Sequence, residues 1–207
     1  MRFVLKLAYT CAKQLAISLN ENHNKRAVYY YGFYILFGSL IKGIILISLS
    51  LILGILKPAL LIVAVFGSLR MLAGGFHFDT FGRCLFISLG LIISAAVLAN
   101  YTYKYWSILF VVIFLIITSI TSLYVLIKYA PKDTPAKPLT DPVEILKLKK
   151  LSVIYLFLLL ALCSILTVYD LKLYVLAIDF GILIEIFSVS PAGNSFFCKI
   201  KTALNQI

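Results

Sequence analysis

The sequence predicts an all-α, polytopic integral membrane protein of about six transmembrane helices, preceded by an N-terminal amphipathic helix. Three observations predict this. The chain is 62% hydrophobic and only 13% charged, whereas a soluble domain sits near about one half and one quarter. Its mean hydropathy is +1.04. Its charges gather in a few short segments, leaving apolar runs of the length a bilayer selects.

The elements follow in order. Residues 1–24 read as an interfacial helix: Val4, Leu7, Ala8, Cys11, Leu15 and Leu19 fall on one helical stripe, with Arg2, Lys6 and Lys13 away from its centre. That pattern suits a helix lying on an anionic leaflet, with packing inside the protein as the alternative. Lys6 and Lys13 also break any clean hydrophobic core of a signal peptide. The membrane domain then occupies residues 27–190. Its first apolar segment, Ala27 to Leu56, is interrupted by Lys42 and is read either as one long tilted helix or as a hairpin turning at Lys42-Gly43. The second, Ala59 to Leu72, would reach only about 21 Å as helix. It must therefore extend toward Gly74-Gly75 to cross a hydrocarbon core of about 30 Å. The others are Cys84 to Ala99, Trp106 to Ile127, Leu151 to Tyr169 and Leu173 to Val189. A polar stretch at 70–84, a basic, Pro-rich loop at 128–150 and a tail at 191–207 complete the chain.

Charge selects the long-helix reading. With one long first span and both termini cytoplasmic, the inner face collects Arg2, Lys6, Lys13, Lys25, Arg26, Arg70, Arg83, Lys128, Lys132, Lys137, Lys147, Lys149, Lys150, Lys199 and Lys201. The outer face keeps Lys57, Lys104 and Lys172, as the positive-inside rule asks. This topology accounts for the basic excess, so no nucleic-acid partner is expected. Cys11, Cys84, Cys163 and Cys198 show no metal-ligand spacing, and neither a metal nor another cofactor is expected. His23 reads as a solvated loop residue. Lys42, Asp179 and Glu185 are intramembrane ionisable groups; a Lys42–Asp179 pair is read as a structural tie, with a water-filled cavity as the functional alternative.

The stretch RMLAGGFHFDTFGRC, Arg70 to Cys84, carries the chemistry. A thiol becomes a strong nucleophile as thiolate, and an imidazole can take its proton. His77 and Cys84, seven residues apart, form such a pair on either a helix or a loop. Cys84 begins an expected helix, where the positive end of the dipole favours an anion and unbonded amides could receive an oxyanion. Asp79 is an orienting partner for His77. Against this stand a purely structural turn, and a zinc site from His77, Asp79 and Cys84 that lacks a fourth ligand.

The pattern Arg70, three residues, Gly74-Gly75, one residue, His77, six residues, Cys84 resembles the signature of the accessory gene regulator protein B (AgrB) family. The segment APKDTPAKP, Ala130 to Pro138, resembles that family's cytoplasmic loop. The resemblance implies a bacterial cell-membrane cysteine endopeptidase of quorum sensing. It implies an AgrD-like propeptide as substrate, with an amphipathic leader, a pheromone segment and an acidic tail. The enzyme would remove the tail and close the pheromone into a thiolactone or lactone. Carried onto this chain, Cys84 is the nucleophile and His77 its base, with Arg70, Gly74, Gly75 and Asp79 supporting. Lys128, Lys132, Lys137, Lys149 and Lys150 are expected to attract the acidic tail. Anionic lipids are expected partners; monomer and homodimer stay open. The rival readings are a peptide transporter or export scaffold without protease activity, and a non-catalytic assembly factor.

Overall fold

The computed structural model describes residues 2–76, 78, 80–132 and 141–205. The described residues form helices throughout: α1 Arg2–Ser18, α2 His23–Ile52, α3 Leu56–Ala73, α4 Phe81–Thr102, α5 Ile108–Tyr129, α6 Pro142–Val168, α7 Lys172–Val189 and α8 Pro191–Asn205, with a 3₁₀ turn at Tyr103–Tyr105. Helices α2 to α6 are each long and apolar enough to cross a membrane. Helices α7 and α8 meet these criteria only together, as a pair bent by 75°, which makes a sixth candidate span. The expected all-α polytopic architecture is the observed one.

The first apolar segment is a single helix of 30 residues, about 45 Å long, as the charge argument required. Asn22 caps it by accepting from the Lys25 amide at 3.1 Å, a role suited to a short polar side chain. Preceding it, α1 buries Ala8, Ala12 and Ala16 against α2, its main contact. Tyr9 packs edge-on to Tyr30, beneath the Arg26 guanidinium. The buried line is therefore one of alanines spaced four apart, whose small side chains admit a close neighbouring helix. Leu7 and Leu19, from the expected stripe, stay exposed.

The short second segment gains length at both ends. Helix α3 takes in Leu56, Lys57 and Pro58 before it and Ala73 after it, reaching 18 residues, or about 27 Å. Proline is tolerated there because the amide it lacks belongs to a first turn. At the other end of the basic loop, Pro142 starts α6 with Asp141 accepting from the Val143 amide at 2.9 Å. The loop expected to run to residue 150 thus ends at 141, and Lys147, Lys149 and Lys150 ride on a helix.

Helix α7 lies at the centre. It touches α3, α4, α5, α6 and α8, and most of its length from Val175 to Val189 is buried. Ile62, Val65, Leu69 and Ala73 form the inward line of α3. Opposite them, a side chain at Gly181 would stand 3.0 Å from Val65 and 3.1 Å from the Ile62 carbonyl, so glycine permits this approach. Because protein surrounds α7 instead of lipid, it can carry Asp179 and Glu185. Both are fully buried.

Candidate active site

The reactive stretch joins the end of α3 to the start of α4. Gly74 leaves α3 with φ +75°, its amide donating to the Arg70 carbonyl at 3.0 Å; Gly75 follows at φ +139°. Both conformations favour glycine, having no Cβ to clash. Space enforces the same choice. A Cβ on Gly74 would collide with the Lys132 carbonyl, and one on Gly75 with Ser188 Oγ and, at 2.8 Å, Arg70 Nη1.

Arg70 is the tie. From the last turn of α3, its Nη1 donates to Ser188 Oγ at 2.9 Å and pairs with Glu185 Oε2 at 3.4 Å, while Nη2 donates to the Phe76 carbonyl. Ser188 Oγ also accepts from the Phe76 amide at 3.2 Å. One buried hydroxyl on α7 therefore fixes both the guanidinium and the chain just before His77. Just beyond α5, the Lys132 amide donates to the Ala73 carbonyl at 2.8 Å. Its ammonium reaches Asn194 Oδ1 at 3.1 Å and the Ser188 carbonyl at 3.5 Å. Burial holds the Lys132 ammonium below the usual lysine range; Cys198 and Glu185 act against this and Arg70 with it. The rings of Phe76 and Phe78 pack on Phe197 of α8, with centroids 5.4 and 5.8 Å away.

Cys84 sits in the first turns of α4, half-buried. Its amide already bonds the Thr80 carbonyl at 3.1 Å, so the amides of Phe81, Gly82 and Arg83 are the ones that precede the intrahelical ladder. Its sulfur accepts from Lys42 Nζ of α2 at 3.2 Å. Here the expected Lys42–Asp179 pair is corrected. Lys42 faces the sulfur, and neither Asp179 oxygen has a hydrogen-bond partner among the described residues.

Of the sequence-derived site residues, Arg70, Gly74, Gly75 and Cys84 come to one end of the bundle. His77, Asp79 and Lys137 lie outside the described residues, although Phe76, Phe78 and Thr80 beside the first two are placed. Of the lysines expected to attract an acidic tail, Lys132 is engaged inward. Lys128 donates to Tyr124 Oη at 3.0 Å, with its ammonium over the Tyr124 and Tyr129 rings. Lys150 is exposed and Lys149 half-buried. Sequence reasoning missed Ser188, Phe197 and the role of Glu185. The available signal was an Arg at one helix end and an acidic residue inside an otherwise apolar helix, each needing a counter-charge.

Ser188→Ala tests the tie. It removes the acceptor shared by Arg70 and Phe76, and such an orphaned buried donor costs about 1–3 kcal/mol. Thermal unfolding in detergent should shift down accordingly, with the protein still inserted.

Comparison with known proteins shows the family of the chain. The family model described as "Accessory gene regulator B" matches residues 6–189. An AgrB-like protein 2 of Clostridium perfringens (strain 13 / Type A) is 24% identical over 209 residues, covering 95% of each chain. An AgrB-like protein of Clostridium perfringens (strain SM101 / Type A) is 22% identical over 214 residues, covering 97% of this chain and 98% of that one. No solved structure matches. With a family match running through nearly every helix and over both motif segments, the chain belongs to the accessory gene regulator B family, multi-pass membrane proteins involved in processing the agr quorum-sensing peptide.

Proposed function

We propose that this protein is a membrane cysteine endopeptidase that cleaves the C-terminal tail from an AgrD-like propeptide and closes the remaining peptide into a thiolactone or lactone. The observation that carries this reading is the position of Cys84. Its sulfur stands at the beginning of a helix, beside an ammonium, at the end of a loop anchored by Arg70, Ser188 and Glu185.

The chemistry proceeds in two transfers. His77 takes the Cys84 proton, and the sulfur attacks the carbonyl carbon at the cut site. The developing oxyanion falls toward the positive end of α4 and its leading amides. The C–N bond then breaks, the imidazolium protonates the departing amine, and the peptide is left as a thioester on Cys84. Next, the thiol or hydroxyl of the peptide itself gives its proton to His77 and attacks that thioester. The bond between the acyl carbon and Cys84 Sγ breaks, the sulfur leaves as thiolate, and the ring closes. Forming a thioester from an amide is uphill, so removal of the tail drives the sequence forward. Exchange between thioesters conserves most of that acyl-transfer energy, and partial exclusion of water favours ring closure over hydrolysis.

The substrate is expected to arrive along the inner leaflet of the cell membrane. With both termini cytoplasmic, the basic residues Lys128, Lys149 and Lys150 face that side beside anionic lipid. They attract an acidic tail through a field that weakens as salt rises. Raising the salt from 0.05 to 0.5 M is therefore expected to raise KM for the propeptide severalfold with little change in kcat.

Purified protein in liposomes with a doubly labelled propeptide tests the whole reading. Tail release and a base-labile adduct on the Cys84 peptide, found by mass spectrometry, are the expected results. Intact propeptide crossing the bilayer without an adduct would replace the peptidase with a transporter.

A further inference from the structure

Lys42 is the one charged residue of the first apolar segment, and the fold gives it a definite address. It lies on α2 ten residues before the helix ends at Ile52. Leu46 and Ser50, one and two turns further on, are both buried. Lys42 thus stands on the line of α2 that turns toward the rest of the bundle. It is itself half-buried. Snorkelling along a lipid-facing surface would relieve a lysine at this depth; this one instead points its ammonium at Cys84 Sγ, 3.2 Å away and 42 residues distant in sequence. The acidic partner that the sequence offered, Asp179, does not take it.

We propose that Lys42 is a positioning residue for Cys84: its ammonium pairs with the sulfur, directing it from the first turns of α4 and meeting the negative charge that develops there as His77 takes the proton. The inference rests on reading Cys84 as the nucleophile. An N⁺–H···S⁻ contact is charge-assisted, so it is both stronger and more directional than a contact between neutral groups. It is worth most where water is partly excluded. The division of labour with His77 is clear. The imidazole carries protons in and out during each transfer, whereas the ammonium orients the sulfur. Because Lys42 belongs to α2 and Cys84 to α4, the contact also couples the sulfur's aim to the packing of these two helices.

Alkylation of Cys84 by iodoacetamide at neutral pH tests this without any propeptide. Modification is followed peptide by peptide by mass spectrometry, in wild type and in Lys42→Met, Lys42→Gln and Lys42→Arg. Exposed Cys198 on α8 serves as an internal control in every sample. Loss of the charge in Lys42→Met is expected to slow Cys84 labelling about tenfold, in line with the worth of a hydrogen bond to a charged group. Lys42→Arg, retaining the charge, is expected to stay within about threefold of wild type, a rescue that a merely space-filling role would not give. Lys42→Gln keeps the test open should methionine not insert, with the same tenfold loss expected. Equal Cys84 rates in wild type and in whichever neutral variant inserts, with Cys198 unchanged, would overturn the proposal. Since labelling needs no substrate, this failure is separate from that of the peptidase reading, which turns on cleavage by Cys84→Ala.

Discussion

Replacing Cys84 with alanine is expected to reduce tail release from the propeptide about 10,000-fold or more, the scale seen when a covalent nucleophile is removed. The protein should still be made and inserted. Alanine is the best helix former, and position 84 lies inside the α4 ladder, its amide bonded to the Thr80 carbonyl. Only the sulfur and its contact with Lys42 disappear. Positions 11, 163 and 198 supply the contrast. Cys163 is buried between helices of the core, and Cys11 and Cys198 lie on α1 and α8, so serine at 11 or 198 should leave tail release near wild type. The measurement is release of a labelled tail by matched amounts of protein in liposomes, with insertion verified by protease protection. Undiminished release from Cys84→Ala would remove the nucleophile and the two-transfer mechanism with it.

The second large effect is expected at a residue with no functional group. Gly75→Ala should lower tail release about 100-fold or more and reduce thermal stability as well. Two costs combine. A φ of +139° is strained for any residue with a Cβ, at about 1–3 kcal/mol. The added methyl would also occupy the space of Ser188 Oγ and stand 2.8 Å from Arg70 Nη1 and 3.2 Å from Glu185 Oε1. To make room, the Arg70–Ser188–Phe76 bonds must separate, releasing the chain that leads to His77. Gly90→Ala is the control, since a Cβ there meets nothing within 4 Å and an alanine within α4 favours helix. Its activity should match wild type. A Gly75→Ala protein with normal activity and stability would show that the tie between α3 and α7 does not govern the loop.

The two predictions mark how unevenly the site could be read. Cys84 and the motif around it stand out because reactive and polar residues are rare in so apolar a chain. Gly75 stands out as half of a Gly pair, but its reason lies 110 and more residues away in Glu185 and Ser188. Those two are i and i+3 on α7 and share one face, a periodicity that an almost wholly apolar helix hides. Lys42 was visible as an intramembrane cation, yet its partner was misassigned. Opposite formal charges suggested Asp179, whereas the packing of α2 on α4 brings up a thiol.

The sequence by itself determined that this chain lives in a membrane, that it does so as helices, and which fifteen residues set polar side chains and glycines between apolar segments. Hydropathy and charge placement are summed along the chain, and the bilayer imposes length and satisfied backbone bonds on each segment separately. Only the tertiary structure decided that α7 is the central helix, that Glu185 and Ser188 hold Arg70, and that Lys42 meets Cys84. Helices of similar hydropathy are nearly interchangeable to lipid, so their neighbours are chosen by side-chain fit and the pairing of buried polar groups. Those terms exist only once residues far apart in sequence have been brought together.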